Sequence, residues 1–272
     1  MDINTVYNMD CLIFLKQVPD NVFDLTVTSP PYDNLRDYKE YSFDFENIAK
    51  ELYRVTKEGG LVVWVVNDSI IDGSESLTSF KQAIYFKEEC GFKIHDTMIY
   101  GKNTIAFPDK IRYNACFEYM FILSKGKIKT FNPIMDKKNK CAGEGKRGIN
   151  SFRKKDGKLD TFKKEVVIKD FGRRNNIWFY STGMMNSTSD KIAFQHPATF
   201  PEKLVNDHII SWSNKGDLVF DPFMGSGTTL KMAIKNGRNC VGCEISEEYC
   251  NLMKKRFKDL VFTKQFKIKK GI

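Results

Sequence analysis

Leu218-Val219-Phe220-Asp221-Pro222-Phe223-Met224-Gly225-Ser226-Gly227-Thr228-Thr229 is the stretch whose reading decides the fold. Residues 218–220 read as a buried parallel strand that breaks at Asp221 into small and polar residues opening a helix. A second stretch is built the same way: residues 23–27 run into Thr28-Ser29-Pro30-Pro31-Tyr32. Two polar loops at the carboxyl ends of neighbouring strands are where an open α/β sheet binds ligands. One offers glycines that let backbone approach closely, and the other holds a rigid proline pair between a hydroxyl and an aromatic face.

Outward from these loops, residues 4–8 read as a short strand, followed by a helical turn through Leu12 and Leu15 and a turn at Pro19-Asp20-Asn21. Ile48, Leu52 and Val55 have helical spacing, with Gly59-Gly60 closing that helix. Residues 61–66 form an uninterrupted, largely β-branched run, the mark of a strand buried on both faces. Residues 77–90 read as a helix stopped by Gly91, and 93–100 and 117–123 as the last two strands, with antiparallel pairing open to them. From Ser124 to about Asp190 the periodicity fades into Lys, Gly and Asn. It returns with helices at 201–212, 228–236 and 247–257 and strands at Leu218 and 240–244; residues 264–270 read as a frayed end. Strands alternating with helices predict an α/β fold with a doubly wound, mainly parallel sheet. The expected organisation is 1–124, a basic insertion at 125–190, and 191–272.

At 42% hydrophobic and 13% aromatic content, the 272 residues can build a full core, which argues against a disordered chain. No run approaches the roughly 20 apolar residues of a membrane span. Met1-Asp2-Ile3-Asn4 lacks the basic start of a signal peptide, so a cytoplasmic protein without a membrane partner is expected. Seven cysteines, an odd number, do not suggest a disulfide framework. The formal charge of +9 is concentrated: residues 125–174 hold 17 Lys and Arg against 6 Asp and Glu, a net of +11 that leaves −2 for the rest. Such concentration points to a polyanionic partner, the alternative being a solvated, partly disordered insertion.

The order of motifs carries a family resemblance. Ser29-Pro30-Pro31-Tyr32, the basic insertion and Asp221–Thr229 follow one another, joined by Asn8-Met9-Asp10-Cys11, His196-Pro197-Ala198-Thr199-Phe200-Pro201-Glu202-Lys203 and Cys243-Glu244-Ile245-Ser246. The chain thereby resembles the beta group of DNA amino-methyltransferases, in which a catalytic loop precedes the target-recognition region and that region precedes the cofactor loop. The resemblance covers roughly residues 1–125 and 178–258. It implies an S-adenosylmethionine-dependent enzyme that methylates the exocyclic amine of a base flipped from double-stranded DNA. Ser at position 29 favours cytosine N4 in this family, with adenine N6 as the alternative because the same acceptor geometry serves either amine. A homodimer and a companion restriction endonuclease are further expectations of the resemblance.

The chemistry suits these residue types. The amine lone pair is delocalised into the base ring, so the enzyme must draw its N–H groups toward acceptors. The Ser29 hydroxyl and the Pro30 carbonyl are the candidates, steadied by Pro30 and Pro31, while Tyr32 offers a face on which stacking contributes roughly 1–3 kcal/mol. For the cofactor, the resemblance assigns Gly225 and Gly227 to close backbone contact and the helix start at Thr228-Thr229 to the methionine carboxylate. It assigns Asp221 to the amino group, Glu244 to the ribose hydroxyls and Asp10 to the adenine amine, with Cys11, Phe223 and Ser226 in the same loops. For Asp10 a helix cap is an equal alternative. Phe200 and Pro201 would wall the methionine pocket, ordinary packing before a helix being the alternative.

Other readings are weaker. Cytosine-C5 chemistry needs a thiolate, and no cysteine here directly follows a proline as that family's nucleophile does. Cys240-x-x-Cys243 lies in an apolar run and reads as core, so no metal is expected. His196 reads as structural and Trp178 as a packing anchor, and Arg36 is open to a phosphate contact or a surface salt bridge. An RNA amino-methyltransferase and a non-catalytic DNA-binding protein remain as alternatives.

Overall fold

Asp24 alone is not buried in the strand Phe23–Thr28, as expected where both faces of a sheet are covered. The computed structural model describes residues 1–31, 43–103, 110–140, 142, 150–162, 168–183, 186–258 and 266–271; Tyr32 and Arg36 lie outside the described residues. The chain begins with β1 (Thr5–Asn8), α1 (Cys11–Leu15), β2 (Phe23–Thr28), α2 (Phe45–Val55), β3 (Thr56–Val66), β4 (Ile70–Ile71) and β5 (Ser74–Glu75). It continues with α3 (Thr78–Glu88), β6 (Lys93–Lys102), β7 (Phe117–Ser124), β8 (Lys137–Lys138), β9 (Asn150–Arg153), β10 (Leu159–Phe162), β11 (Phe171–Gly172) and β12 (Ile177–Tyr180). After a 3-10 turn (Lys191–Gln195) come α4 (Glu202–Trp212), β13 (Leu218–Asp221), α5 (Thr228–Lys235), β14 (Asn239–Cys243), α6 (Glu247–Phe257) and β15 (Lys267–Lys270).

Among the described residues nine strands pair in the order β12-β6-β7-β3-β2-β13-β14-β1-β15, the doubly wound, mainly parallel sheet the sequence predicts. Of these strands only β7 runs antiparallel to its neighbours, β3 and β6. From β2 the chain crosses through α2 to β3 on one side, and from β13 it crosses through α5 to β14 on the other. β2 and β13 are adjacent, with Val219 opposite Leu25 and Phe220 opposite Thr26. The winding therefore reverses between them, the place where such sheets take ligands at their carboxyl ends.

Packing fixes this centre. Phe220 stacks on Phe23 at a centroid distance of 4.3 Å and on Phe14 at 5.9 Å, and all three rings are buried. Asp44 caps α2 by accepting from the Asn47 amide at 3.3 Å, and Ile48, Ala49, Leu52 and Val55 turn into the core. Arg54 in the last turn donates to the Leu15 and Val18 carbonyls at 2.7 Å each, tying α2 to the end of α1.

The structure departs from the sequence expectations at three elements. Gly59-Gly60 do not close α2, because Thr56 takes an extended backbone there and passes helix directly into strand, its hydroxyl donating to the Leu52 carbonyl at 2.6 Å. Residues 93–102 and 117–124 are not the last strands on their side, since β12 pairs parallel to β6 and forms the edge. Residues 267–270 are not frayed but pair parallel to β1, with Thr5 opposite Lys267. Three lysines in this four-residue edge strand discourage pairing with another chain.

Contacts divide the chain into two compact units, residues 1–132 with 176–272, and Pro133–Asn175. Residues 125–132 and 176–190, included in the insertion by sequence, belong to the larger unit. There Trp178 is buried against His208 at a ring distance of 4.7 Å. Among its described residues the smaller unit holds two short antiparallel ladders, β8 with β11 and β9 with β10. Arg174 forks onto Asp136, Lys154 pairs with Asp160 at 2.9 Å, and the Asn139 amide donates to the Lys169 carbonyl at 2.9 Å. With 14 Lys and Arg against 6 Asp and Glu, this unit stays strongly basic after its internal pairings.

Candidate active site

Side-chain hydrogen bonds join the two stretches that decide the fold, the Thr229 hydroxyl donating to the Val27 carbonyl at 3.4 Å. The Thr28 hydroxyl, closing β2, donates to Asp221 Oδ1, closing β13, at 2.7 Å across 193 residues of sequence. The Phe223 amide donates to the same oxygen at 3.0 Å. Burial pushes the Asp221 carboxyl up to about 6, against the pull of the Thr229 and Thr28 hydroxyls and the Phe223 amide. Ser29 and Pro31 are half-buried and Pro30 is buried, so the prolines anchor a loop whose hydroxyl remains partly open. A cleft lined by Pro31, Phe43, Phe45, Lys81, Gln82 and Tyr85, among others, opens beside that loop.

On the other side of β13, β14 delivers Glu244. Its Oε2 accepts from the Gly225 amide at 2.7 Å and its Oε1 from the Ser246 amide at 2.9 Å. Burial pushes this carboxyl up to about 7, the amide donors opposing and Asp221 adding to the rise. Asn8, closing β1, donates to the Glu244 and Ile245 carbonyls at 2.8 and 3.0 Å, fixing one strand end to the next. Asp10 follows and caps α1, Oδ1 accepting from the Leu12 and Ile13 amides at 2.9 and 3.0 Å, a cap that engages one of its two carboxylate oxygens. Cys11 is buried behind it, and burial raises its thiol far above the usual range.

The Gly225-Ser226-Gly227 loop depends on both glycines. Gly225 and Gly227 have φ of +52° and +84°; a Cβ on Gly225 would lie 3.0 Å from His196 Nε2, and one on Gly227 would lie 2.8 Å from the Phe257 ring. His196 thus backs the loop structurally, its Nδ1 accepting from the Ala198 amide at 3.1 Å and its ring meeting Tyr249 at 4.3 Å. Ser226 and Thr228 are buried, their hydroxyls accepting from Arg256 at 3.3 and 3.0 Å. Phe200 is half-buried and Pro201 buried at the start of α4; Phe223 is half-buried against Phe43 at 5.6 Å. Cys240 and Cys243 lie in the core on β14.

The structure therefore brings Ser29–Pro31, Asp221–Thr229, Glu244 and Asp10-Cys11 to the carboxyl ends of four adjacent parallel strands, β2, β13, β14 and β1. Sequence reasoning missed three contributors: Thr28, Asn8 and Arg256. Asn8 stands in a motif already singled out, whereas nothing local distinguishes Arg256 from the surface cations of a charged helix.

Residues 23–255 match a family described as DNA methylase, the N6/N4 methyltransferase group. The chain belongs to this family. The methylase is thus a DNA amino-methyltransferase, of a family that takes its methyl group from S-adenosylmethionine. It is 58% identical over 246 residues to the orphan methyltransferase M.BamHII of Bacillus amyloliquefaciens, covering 90% of this chain and 92% of that one. It is 27% identical to the type II methyltransferase M1.MboII of Moraxella bovis, covering 92% and 95% of the two chains. Its fold matches that of PvuII DNA methyltransferase (cytosine-N4-specific), with a TM-score of 0.71, 20% identity and coverage of 98% and 95%. A putative DNA modification methylase from Thermus thermophilus, solved in complex with S-adenosyl-L-methionine, matches the fold with a TM-score of 0.65, 22% identity and coverage of 98% and 97%.

The donor set on these strand ends fits that cofactor. Two carboxyls sit at adjacent strand ends, a loop with two glycines at positive φ lies between them, and the aromatic rings of Phe200 and Phe223 are half-buried in segments that open α4 and the glycine loop.

Proposed function

We propose that this methylase methylates the N4 amine of a cytosine flipped out of double-stranded DNA, with the basic Pro133–Asn175 unit reading the surrounding sequence. The observation that carries the reading is the Thr28–Asp221 bond, which joins a Ser-Pro-Pro loop to an acidic glycine loop at the reversal point of the sheet. Serine at position 29 supports cytosine over adenine.

In this reading the Ser29 hydroxyl and the Pro30 carbonyl accept the two N–H groups of the target amine, drawing its lone pair out of conjugation with the ring and localising it on nitrogen. Tyr32 stacks on the flipped base. The cleft beside Pro31, with Phe43, Phe45 and Tyr85 among its walls, gives that base apolar surface on its approach. Glu244 holds the ribose hydroxyls, Asp221 the methionine amino group and Asp10 the adenine amine, while Phe200, Pro201 and Phe223 exclude water from the methionine chain. When bound, S-adenosylmethionine supplies an electrophilic methyl on a sulfonium, so alignment of the amine with it supplies most of the acceleration. The nitrogen takes the methyl as the sulfonium becomes a thioether, the resulting cation gives up its extra proton to water, and no covalent bond between enzyme and base is needed. A homodimer and a companion endonuclease belong to the same proposal, the first open to light scattering.

The test is mass spectrometry of nucleosides from DNA treated with the protein and methyl-labelled cofactor. Label in N4-methylcytosine supports the proposal. Label in N6-methyladenine overturns the choice of base, and no label in DNA overturns the catalytic reading.

A further inference from the structure

Beneath the Gly225-Ser226-Gly227 loop lies an ion cluster with a buried arginine at its inner end. Arg256, on α6, has a side chain with no exposed area. Its Nη1 donates to the Ser226 carbonyl at 2.8 Å, the Ser226 hydroxyl at 3.3 Å and the Thr228 hydroxyl at 3.0 Å. Its Nε donates to Asp190 Oδ2 at 2.9 Å, and its Nη2 to Glu202 Oε1 at 2.8 Å and the Thr188 hydroxyl at 3.4 Å. Lys231, on α5, donates to the same two carboxylate oxygens at 2.7 Å each. Two cations and two carboxylates thus balance, and the guanidinium meets acceptors along its whole edge, the condition under which a buried charge is tolerated.

The geometry has a consequence for the loop. A backbone with two glycines at positive φ has many alternatives to its native path. α6 removes them from below in two ways: Phe257 and Met253 fill the space against Gly227, and the Arg256 fork seizes a carbonyl and two hydroxyls of Ser226 and Thr228, on either side of that glycine. The same fork links the loop to the first residue of α4 and to the segment around Asp190.

We infer that Arg256 is the positioning residue of the cofactor loop, holding residues 226–228 in their ligand-ready path so that binding carries little ordering cost. This rests on the reading above that the loop binds S-adenosylmethionine.

Arg256→Lys keeps the charge and loses the fork. Arg238→Lys is the matched control, because Arg238 is also buried and forks onto the Ser213 carbonyl and hydroxyl, but beside the amino end of β14. By calorimetry with S-adenosylmethionine, Arg256→Lys is expected to raise Kd about tenfold or more. Its kcat at saturating cofactor stays within about twofold, because the fork orders the loop and touches no reacting atom. Arg238→Lys lowers Tm without moving Kd. Cofactor binding by Arg256→Lys within about twofold of wild type, with Tm lowered as in the control, overturns the inference and leaves the functional reading standing. No binding by wild type overturns both. Should Arg256→Lys not fold, Glu202→Gln removes the charge that aims the fork from outside the cofactor loop. A weaker Kd there supports the inference, and a wild-type Kd overturns it.

Discussion

Glu244 and Asp221 ionise against their surroundings, and burial holds them at about 7 and about 6, well above ordinary carboxyls near 4. In the unfolded chain both release their protons near pH 4, whereas the folded chain keeps them to 6 or 7. Between those limits the unfolded state binds fewer protons, so the contribution of these groups to stability falls as pH rises from about 4 to 7. Tm measured across that range should fall less steeply with pH in Glu244→Gln than in wild type; parallel curves would refute the assignment. Cofactor binding runs the other way, because a ribose hydroxyl is best accepted by the ionised carboxylate, so affinity should rise as pH passes about 7. At fixed pH, Glu244→Gln or Asp221→Asn should cost about 1.5–3 kcal/mol of cofactor binding by calorimetry, provided each variant folds. Tyr32→Ala should lose most methyl transfer with cofactor affinity intact, since the ring is assigned to the base; wild-type turnover in that variant would remove Tyr32 from catalysis. Ser29→Ala should slow transfer less, because the Pro30 carbonyl remains as an acceptor.

The deciding element is the passage from β13 through the glycine loop into α5, held by α6 from one side and by His196 from another. Gly227→Ala forces a β-carbon to 2.8 Å from the Phe257 ring at a φ of +84°. Strain and overpacking together should lower stability by about 1–3 kcal/mol, read by denaturant titration, and should weaken cofactor binding as the loop shifts. Gly237→Ala has equally unfavourable φ but an open Cβ position 3.7 Å from a lysine side chain, so it should lose stability without losing cofactor affinity. Equal affinities in the two variants would mean that the loop's path does not govern binding. The helical spacing of residues 48–55 was legible because one apolar face recurs every turn. The end of that helix was not, because Thr56 ends it through a tertiary strand pairing with Phe23 that overrides the later glycines.

Across the whole molecule, charge separates from the catalytic machinery. The unit Pro133–Asn175 is basic, while the larger unit carries the sheet and its acidic strand ends. If the basic unit contacts phosphates, DNA affinity should fall steeply with salt. Replacing Lys137, Lys138, Lys140, Lys154 and Lys155 with Gln should weaken binding by a similar factor on any DNA sequence and flatten the salt slope by roughly one unit for each phosphate left without its cation. A titration at two salt concentrations checks this. Undiminished affinity with the wild-type slope would make the segment a solvated surface and place the DNA-binding face elsewhere.

The strand-and-loop character of residues 23–31 and 218–229, their order along the chain and the concentration of charge were determined by sequence alone. Each is a local property, set by apolar runs, small residues and prolines acting on their own backbone. The tertiary structure alone decided that β2 and β13 lie side by side, that β12 crosses the insertion to pair with β6, and that Thr28 reaches Asp221. It also decided that Arg256, in a helix whose spacing marks it as one surface cation among several, is wholly enclosed, and that Glu244 ionises near neutrality. The physical reason is the same in each case. Strand neighbours, enclosure and the loss of hydration that shifts a carboxyl depend on segments distant in the chain, and no local spacing encodes which of them will meet.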